Sequence, residues 1–222
     1  MKIYIICPDT VTGGTECLHQ LGHALDASGA DIFISYHNES KDRLARKSFK
    51  SFGLQVENNI KDSKDCLVIF PENLTKYSQR FPKSAKSIFW LSVDNFYPIK
   101  GVSFIRDIFA KYNIRNKRLN FKQIKNFTHL SQSFYSTSFL KKYGMESILI
   151  GDYLNDDFFK EADKAILENN VKLDQVCYNP AKGKKYLDYL IKKNIDINFI
   201  PIVNMTRHEV IKTLSQSKMY LD

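Results

Sequence analysis

No window of the sequence approaches the ~20 consecutive apolar residues that a membrane span requires. The apolar run at residues 3–7 is too short for a secretory leader and is followed at once by Pro8 and Asp9, so no targeting segment is expected. Cysteine is scarce: Cys7, Cys17, Cys66 and Cys177 stand far apart, with no C-x-x-C pair and no His/Cys cluster at zinc spacing. That excludes a zinc ribbon and a disulfide scaffold, and leads to the expectation of reduced, buried thiols in a cytoplasmic protein. G-x-G-x-x-G and G-x-x-x-x-G-K-[ST] are both missing, which removes the main support for a dinucleotide site or a P-loop. No D-x-D triplet occurs, and no RRM, KH or helix-turn-helix signature is present.

What is present is ordinary globular composition in 222 residues, 43% hydrophobic and 26% charged, enough for one large or two small cores. The net charge of +9 is unevenly placed. Residues 156–222 carry 11 Lys/Arg and 10 Asp/Glu, so of the whole-chain totals of 33 and 24 the first part keeps 22 and 14. The densest piece is residues 100–125, where eight Lys/Arg face Asp107 alone and aromatics are interleaved. Such a stretch binds nucleic acid, lies against anionic lipid, or is a solvated face over a packed core.

The most organised stretch is residues 2–27, which reads as strand, loop and helix. Ile3, Ile5, Ile6 and Cys7 give the near-continuous apolar run of a strand buried on both faces of a parallel sheet. Pro8, Asp9 and Thr10 break it, and Gly13-Gly14 precede Leu18, Leu21 and Leu25 at helical spacing, with Gly22 a close-approach point. The glycine pair serves either a tight turn or a phosphate at the helix N-terminus, where free N–H groups and the dipole favour an anion.

Further strands are expected at residues 30–37, 66–71, 87–93, 127–130 and 148–150, with a short helix at 41–52. A helix at 131–143 carries Phe134, Tyr135, Phe139, Leu140 and Tyr143 on one face and stops at Gly144. Alternation of this kind predicts a parallel sheet covered on both faces. Residues 151–155 read as a boundary, giving domains 1–154 and 155–222. In the second, a linker helix at 158–170 leads to a strand at 174–178, and Asn179-Pro180 open a helix with Tyr186, Leu187, Leu190 and Ile191 on one face. A strand at 197–202, a capping box at Thr206 and Glu209, and a strand from Met219 follow. A parallel strand with no helix after it predicts that this second domain is incomplete.

Read in order, TGGTE (12–16), FPENL (70–74), FWLSVDNFY (89–97), THLSQSFYSTSFLKKYG (128–144), YNPAKG (178–183) and FIPIVNMTRHEVIKTLSQSKMYLD (199–222) resemble a glycosyltransferase of the GT-B fold. More narrowly they are similar to the GT4-like bacterial enzymes that build capsular or lipopolysaccharide sugars. The resemblance implies two Rossmann-like α/β domains, an acceptor-side first and a donor-side second, the latter cut short. It implies a nucleotide-diphosphate sugar as donor substrate, with no cofactor and no metal, and a lipid-linked or glycan acceptor at the cytoplasmic membrane face. No nucleic acid is expected, and peripheral contact with anionic membrane fits the basic first part.

Carried over by position, the resemblance puts Gly13 and Gly14 at the donor diphosphate. Lys182 matches a phosphate-binding lysine, and Asn179 stands where an arginine is usual; a lost cationic partner costs on the order of 2 kcal/mol. Val203, Asn204 and Met205 lie against the nucleobase. Asp94 is the acid placed for a base or acceptor-orienting role, with Asn95 and Tyr97 on the acceptor. His37 and His129 also stand at strand ends, where a lone histidine is more often structural. Two further readings are a catalytically incomplete fragment, or one chain of a split enzyme, and a basic nucleic-acid-binding module.

Overall fold

Residues 2–8, KIYIICP, pair along their whole length with Asp31–His37, making parallel strands β1 (Lys2–Pro8) and β2 (Asp31–His37). The computed structural model describes residues 1–96, 118–151, 154, 156–167, 171–180 and 184–221. The chain forms two compact units, Met1–Tyr153 and Leu154–Asp222.

In the first unit β1 and β2 are joined by β3 (Gln55–Val56), β4 (Cys66–Pro71), β5 (Ala85–Trp90), β6 (Thr128–Ser131) and β7 (Ile148–Leu149). The sheet order is β3-β2-β1-β4-β5-β6-β7, every pairing parallel. Residues 3–7 are all buried because β1 is central and covered on both sides. Ile3, Ile5 and Cys7 pack with Leu18 of helix α1 (Gly13–Ala27), while Tyr4 and Ile6 join Val68, Phe70 and Phe81 on the opposite face. The α/β class with a parallel, doubly covered sheet is thus as the periodicity predicts. Gly22 is the expected close approach: a Cβ there would lie 2.6 Å from Leu54 Cδ1.

Between β2 and β4 the expected helix is shorter, α2 (Leu44–Ser48) followed by a 3₁₀ turn (Lys50–Phe52), and the two-residue β3 was not foreseen. A 3₁₀ segment, Glu72–Arg80, follows β4. Strand β5 stops at Trp90, and Val93–Phe96 turn into helix α3, so Asp94 sits on a helical turn rather than at a strand end. Helix α4 (Phe121–Ile124) precedes β6, and α5 (Phe134–Lys142) follows it.

On α5 the expected apolar face holds only in part. Leu140 is buried with Trp90 and Phe96, and Phe139 and Tyr143 pack against them. Phe134 and Tyr135 are exposed, because the first turn, capped by Ser133, begins past the carboxyl end of β6, beyond the layer the core fills. Gly144 ends the helix at φ +71°, with its N–H on the Lys141 carbonyl and that of Met145 on Leu140.

The second unit holds α6 (Asp156–Leu167), β8 (Leu173–Tyr178), α7 (Lys184–Lys193), β9 (Asn198–Pro201), α8 (Arg207–Gln216) and β10 (Ser217–Leu221). Its strands are parallel in the order β10-β8-β9. Thr206 and Glu209 form the expected capping box at the start of α8. On α7 Leu187 is buried but Tyr186 is exposed, a departure from the predicted face. Most of the basic stretch at 100–125, together with Tyr97 and Lys182, lies outside the described residues.

Candidate functional site

The order of strands reverses between β1 and β4, and in open parallel sheets ligands collect outside the carboxyl ends of the strands at such a point. Three elements meet there in the first unit: the N-terminus of α1, the start of the 3₁₀ segment after β4, and the turn from β5 into α3.

Thr12 caps α1. Its side chain accepts from the Thr15 N–H at 3.3 Å, and its own N–H donates to Thr15 Oγ1 at 3.0 Å. Thr15 Oγ1 also donates to the Thr10 carbonyl at 2.6 Å, which fixes the loop leading into the helix. The Glu16 N–H reaches the Thr12 carbonyl at 3.0 Å. The N–H groups of Gly13 and Gly14 are therefore left at the helix end without an acceptor among the described residues. A Cβ on Gly13 would meet nothing within 4 Å, whereas one on Gly14 would lie 3.4 Å from Leu91 Cδ1. Gly14 is thus seated against the end of β5, and Gly13 faces open space.

Asp9, just past β1, points away from this group. Its carboxylate accepts from the Ser40 N–H and hydroxyl and from the Ala45 N–H at 2.8 Å, tying the loop before α2 to the end of β1. Burial alone would raise its pKa, but these hydrogen bonds outweigh it and hold the group below the ordinary range.

Glu72 is the residue that sequence reasoning missed. It lies directly after β4, is 1% exposed, and accepts the Leu91 N–H at 3.0 Å. Burial pushes its pKa up to about 7, against the lowering effect of hydrogen bonds from Leu91, Ser92 and the Asn95 side chain. Arg118 is half-buried beside it. Burial lowers the Arg118 pKa and the Glu72 charge offsets this, while Arg118 Nε donates to the Asn95 carbonyl at 3.1 Å. Its signal was FPENL, a carboxylate one residue after a strand at the switch point.

Asp94 and Asn95 are exposed on α3, at the same end of the sheet. Asn95 is hydrogen-bonded through its side chain to the buried Glu72 and through its carbonyl to Arg118. The two histidines are packed within the first unit. His129 is buried, its Nδ1 accepts the Trp90 indole N–H at 3.0 Å, and burial lowers its pKa although the Ile124 and Lys125 carbonyls face it. The His37 ring packs on Tyr77 with centroids 4.6 Å apart, and burial, then Arg80, depress its pKa.

In the second unit the remaining candidates also gather at carboxyl ends of strands. Asn179 follows β8 and donates its N–H to the Leu221 carbonyl at 3.0 Å. Val203, Asn204 and Met205 form the turn between β9 and α8, with Val203 exposed and Asn204 at φ +55°. Met205 is half-buried and its sulfur accepts from the Thr213 hydroxyl at 3.7 Å. Among the described residues no group of three or more His, Cys, Asp or Glu side chains could hold a metal ion.

No protein-family model and no curated protein sequence matches the chain. A solved structure titled as a glycosyltransferase from Rickettsia africae ESF-5 is similar to it, with a TM-score of 0.55 and 10% identity over 99% of this chain and 72% of that one. What is shared at that identity is the fold, a Rossmann-like α/β arrangement of the kind glycosyltransferases use.

Proposed function

We propose that this chain is a glycosyltransferase that moves a sugar from a nucleotide-diphosphate donor to a lipid-linked or polysaccharide acceptor. The observation that carries the reading is the capped N-terminus of α1, with Gly13 and Gly14 N–H groups presented at the β1/β4 switch point, in a fold that aligns with a glycosyltransferase over 99% of its length. Two main-chain donors at a positive helix end suit a diphosphate, and stabilising that departing group is most of what such a reaction asks of a protein.

In this reading the acceptor hydroxyl oxygen bonds to the anomeric carbon while the bond from that carbon to the diphosphate oxygen breaks. Asp94 takes the hydroxyl proton or orients the acceptor, with Asn95 and Tyr97 holding it. The charge on the leaving diphosphate is met by Gly13, Gly14, Asn179 and Lys182, and Val203, Asn204 and Met205 contact the base. The excess of positive charge in residues 1–155 suits an acceptor at an anionic membrane face and a capsule- or lipopolysaccharide-type product. Among the described residues no helix is long and apolar enough to cross a membrane.

A thermal-shift panel of uridine, guanosine, adenosine and thymidine diphosphates, free and sugar-linked, tests this. One nucleotide class should raise the melting temperature, Lys182→Ala should lose that rise, and Asp94→Asn should keep it while turnover disappears. Indifference to every nucleotide overturns the reading.

A further inference from the structure

On the β3 side of the first unit, α1, β2, β3 and α2 border an open cavity of about 570 Å³. Its apolar floor comes from Phe49, Leu54 and Val56, with Ile34 buried behind them. His19 and Tyr36 complete the wall and are satisfied by one another. His19 Nδ1–H donates to the Thr15 carbonyl at 2.7 Å, and the Tyr36 hydroxyl donates to His19 Nε2 at 2.8 Å. That wall therefore carries no charge.

The rim is cationic: Arg43, Arg46, Lys47 and Lys50 all border the opening. Two carboxylates stand nearby: Glu39, 3.6 Å from Arg46 and 4.0 Å from Arg43, and Asp9, which accepts the Ala45 N–H at 2.8 Å. Among the described residues neither Lys47 nor Lys50 has an ion-pair partner. The rim is also held in place. Asp9 fastens Ser40 and Ala45 on either side of Arg43, and Arg43 itself sits at φ +50°, a left-handed conformation a non-glycine residue adopts only when its surroundings enforce it.

We infer that this cavity binds an amphiphilic phosphate ester, its apolar body on Phe49, Leu54 and Val56 and its head against Arg43, Arg46, Lys47 and Lys50. The apolar floor favours an occupant with a hydrocarbon part over a wholly hydrophilic anion, and Lys47 and Lys50, without ion-pair partners among the described residues, favour an anionic head over a neutral one. Phosphate is favoured over carboxylate because its higher charge engages several cations at once and arginine binds it through two N–H groups. The site does not depend on the transfer reaction, so the nucleotide panel can fail while this inference stands.

Calorimetric titration of the full chain with hexyl phosphate, inorganic phosphate, hexanoate and hexanol tests it. Hexyl phosphate should bind about tenfold or more tightly than inorganic phosphate, the gain expected from burying a few methylenes, and more tightly than hexanoate, with hexanol silent. Lys47→Glu combined with Lys50→Glu, both exposed positions, should weaken hexyl phosphate by about tenfold or more. Val56→Phe should shrink the advantage of the hexyl chain and leave inorganic phosphate unaffected. Equal affinity for hexyl and inorganic phosphate, preference for hexanoate, or unchanged binding in either variant overturns the inference; circular dichroism melts verify that each variant is folded.

Discussion

The backbone N–H of Leu91 donates to the Glu72 carboxylate at 3.0 Å, joining the carboxyl end of β4 to that of β5. The same Leu91 side chain packs beside Gly14, 3.4 Å from where a Cβ would be. A buried acid thus supports the turn on which the helix end carrying the glycine pair is seated.

Glu72 makes the first unit pH-sensitive. Its folded pKa of about 7 lies above the ordinary 4.5, so the folded state holds the proton more tightly than the unfolded chain. Its contribution to stability is fully present below pH 4.5, declines as the pH rises through 7, and is level beyond. The loss is on the order of 3 kcal/mol. Glu72→Gln keeps an acceptor for Leu91 and cannot ionise. Melting temperatures from pH 5 to 8 should fall more steeply for the native chain than for the variant, and parallel curves would refute the assignment.

Asp9 acts in the opposite sense. Hydrogen bonds from Ser40 and Ala45 overcome the effect of burial and hold its pKa low, so the stability it supplies is present at neutral pH and lost on acidification through that lowered value. Asp9→Ala removes a charged acceptor of three donors and should cost about 2 kcal/mol. Amide hydrogen exchange should accelerate at Ala45 in particular; unchanged protection there would argue against the clamp.

Gly13→Ala separates stability from binding. Its Cβ meets nothing within 4 Å and its φ is not positive, so the unfolded chain loses freedom at no cost to the fold, a gain of about 0.5 kcal/mol. If a diphosphate rests on this turn, the added methyl crowds it. The variant should melt higher alone and show a smaller nucleotide-induced shift than the native chain. A full shift would falsify the placement of the phosphate at Gly13.

What was legible beforehand was local. The apolar run of β1, the Gly144 stop and the Thr206 cap are each decided by residues a few positions apart, or by one strand's burial on both faces. What was missed depends on partners distant in sequence. Glu72 reads as a turn residue until Leu91, 19 positions on, is brought to it. Strand β3 exists only because Phe33 and Ile34 offer an edge to Gln55 and Val56. Phe134 and Tyr135 have the spacing of a buried face, and only the height of the helix start above the sheet leaves them in water. His129 reads as a strand-end histidine until β6 is seen to bury it, with the Trp90 N–H on its Nδ1.

Trp90 is the single tryptophan of the chain, fully buried with its indole N–H on His129. Its emission is an optical probe of the first unit alone, since the second carries only tyrosine and phenylalanine as fluorophores. Excitation at the red edge of indole absorption, compared with far-ultraviolet dichroism from the whole backbone, would reveal whether the two units melt together or one after the other.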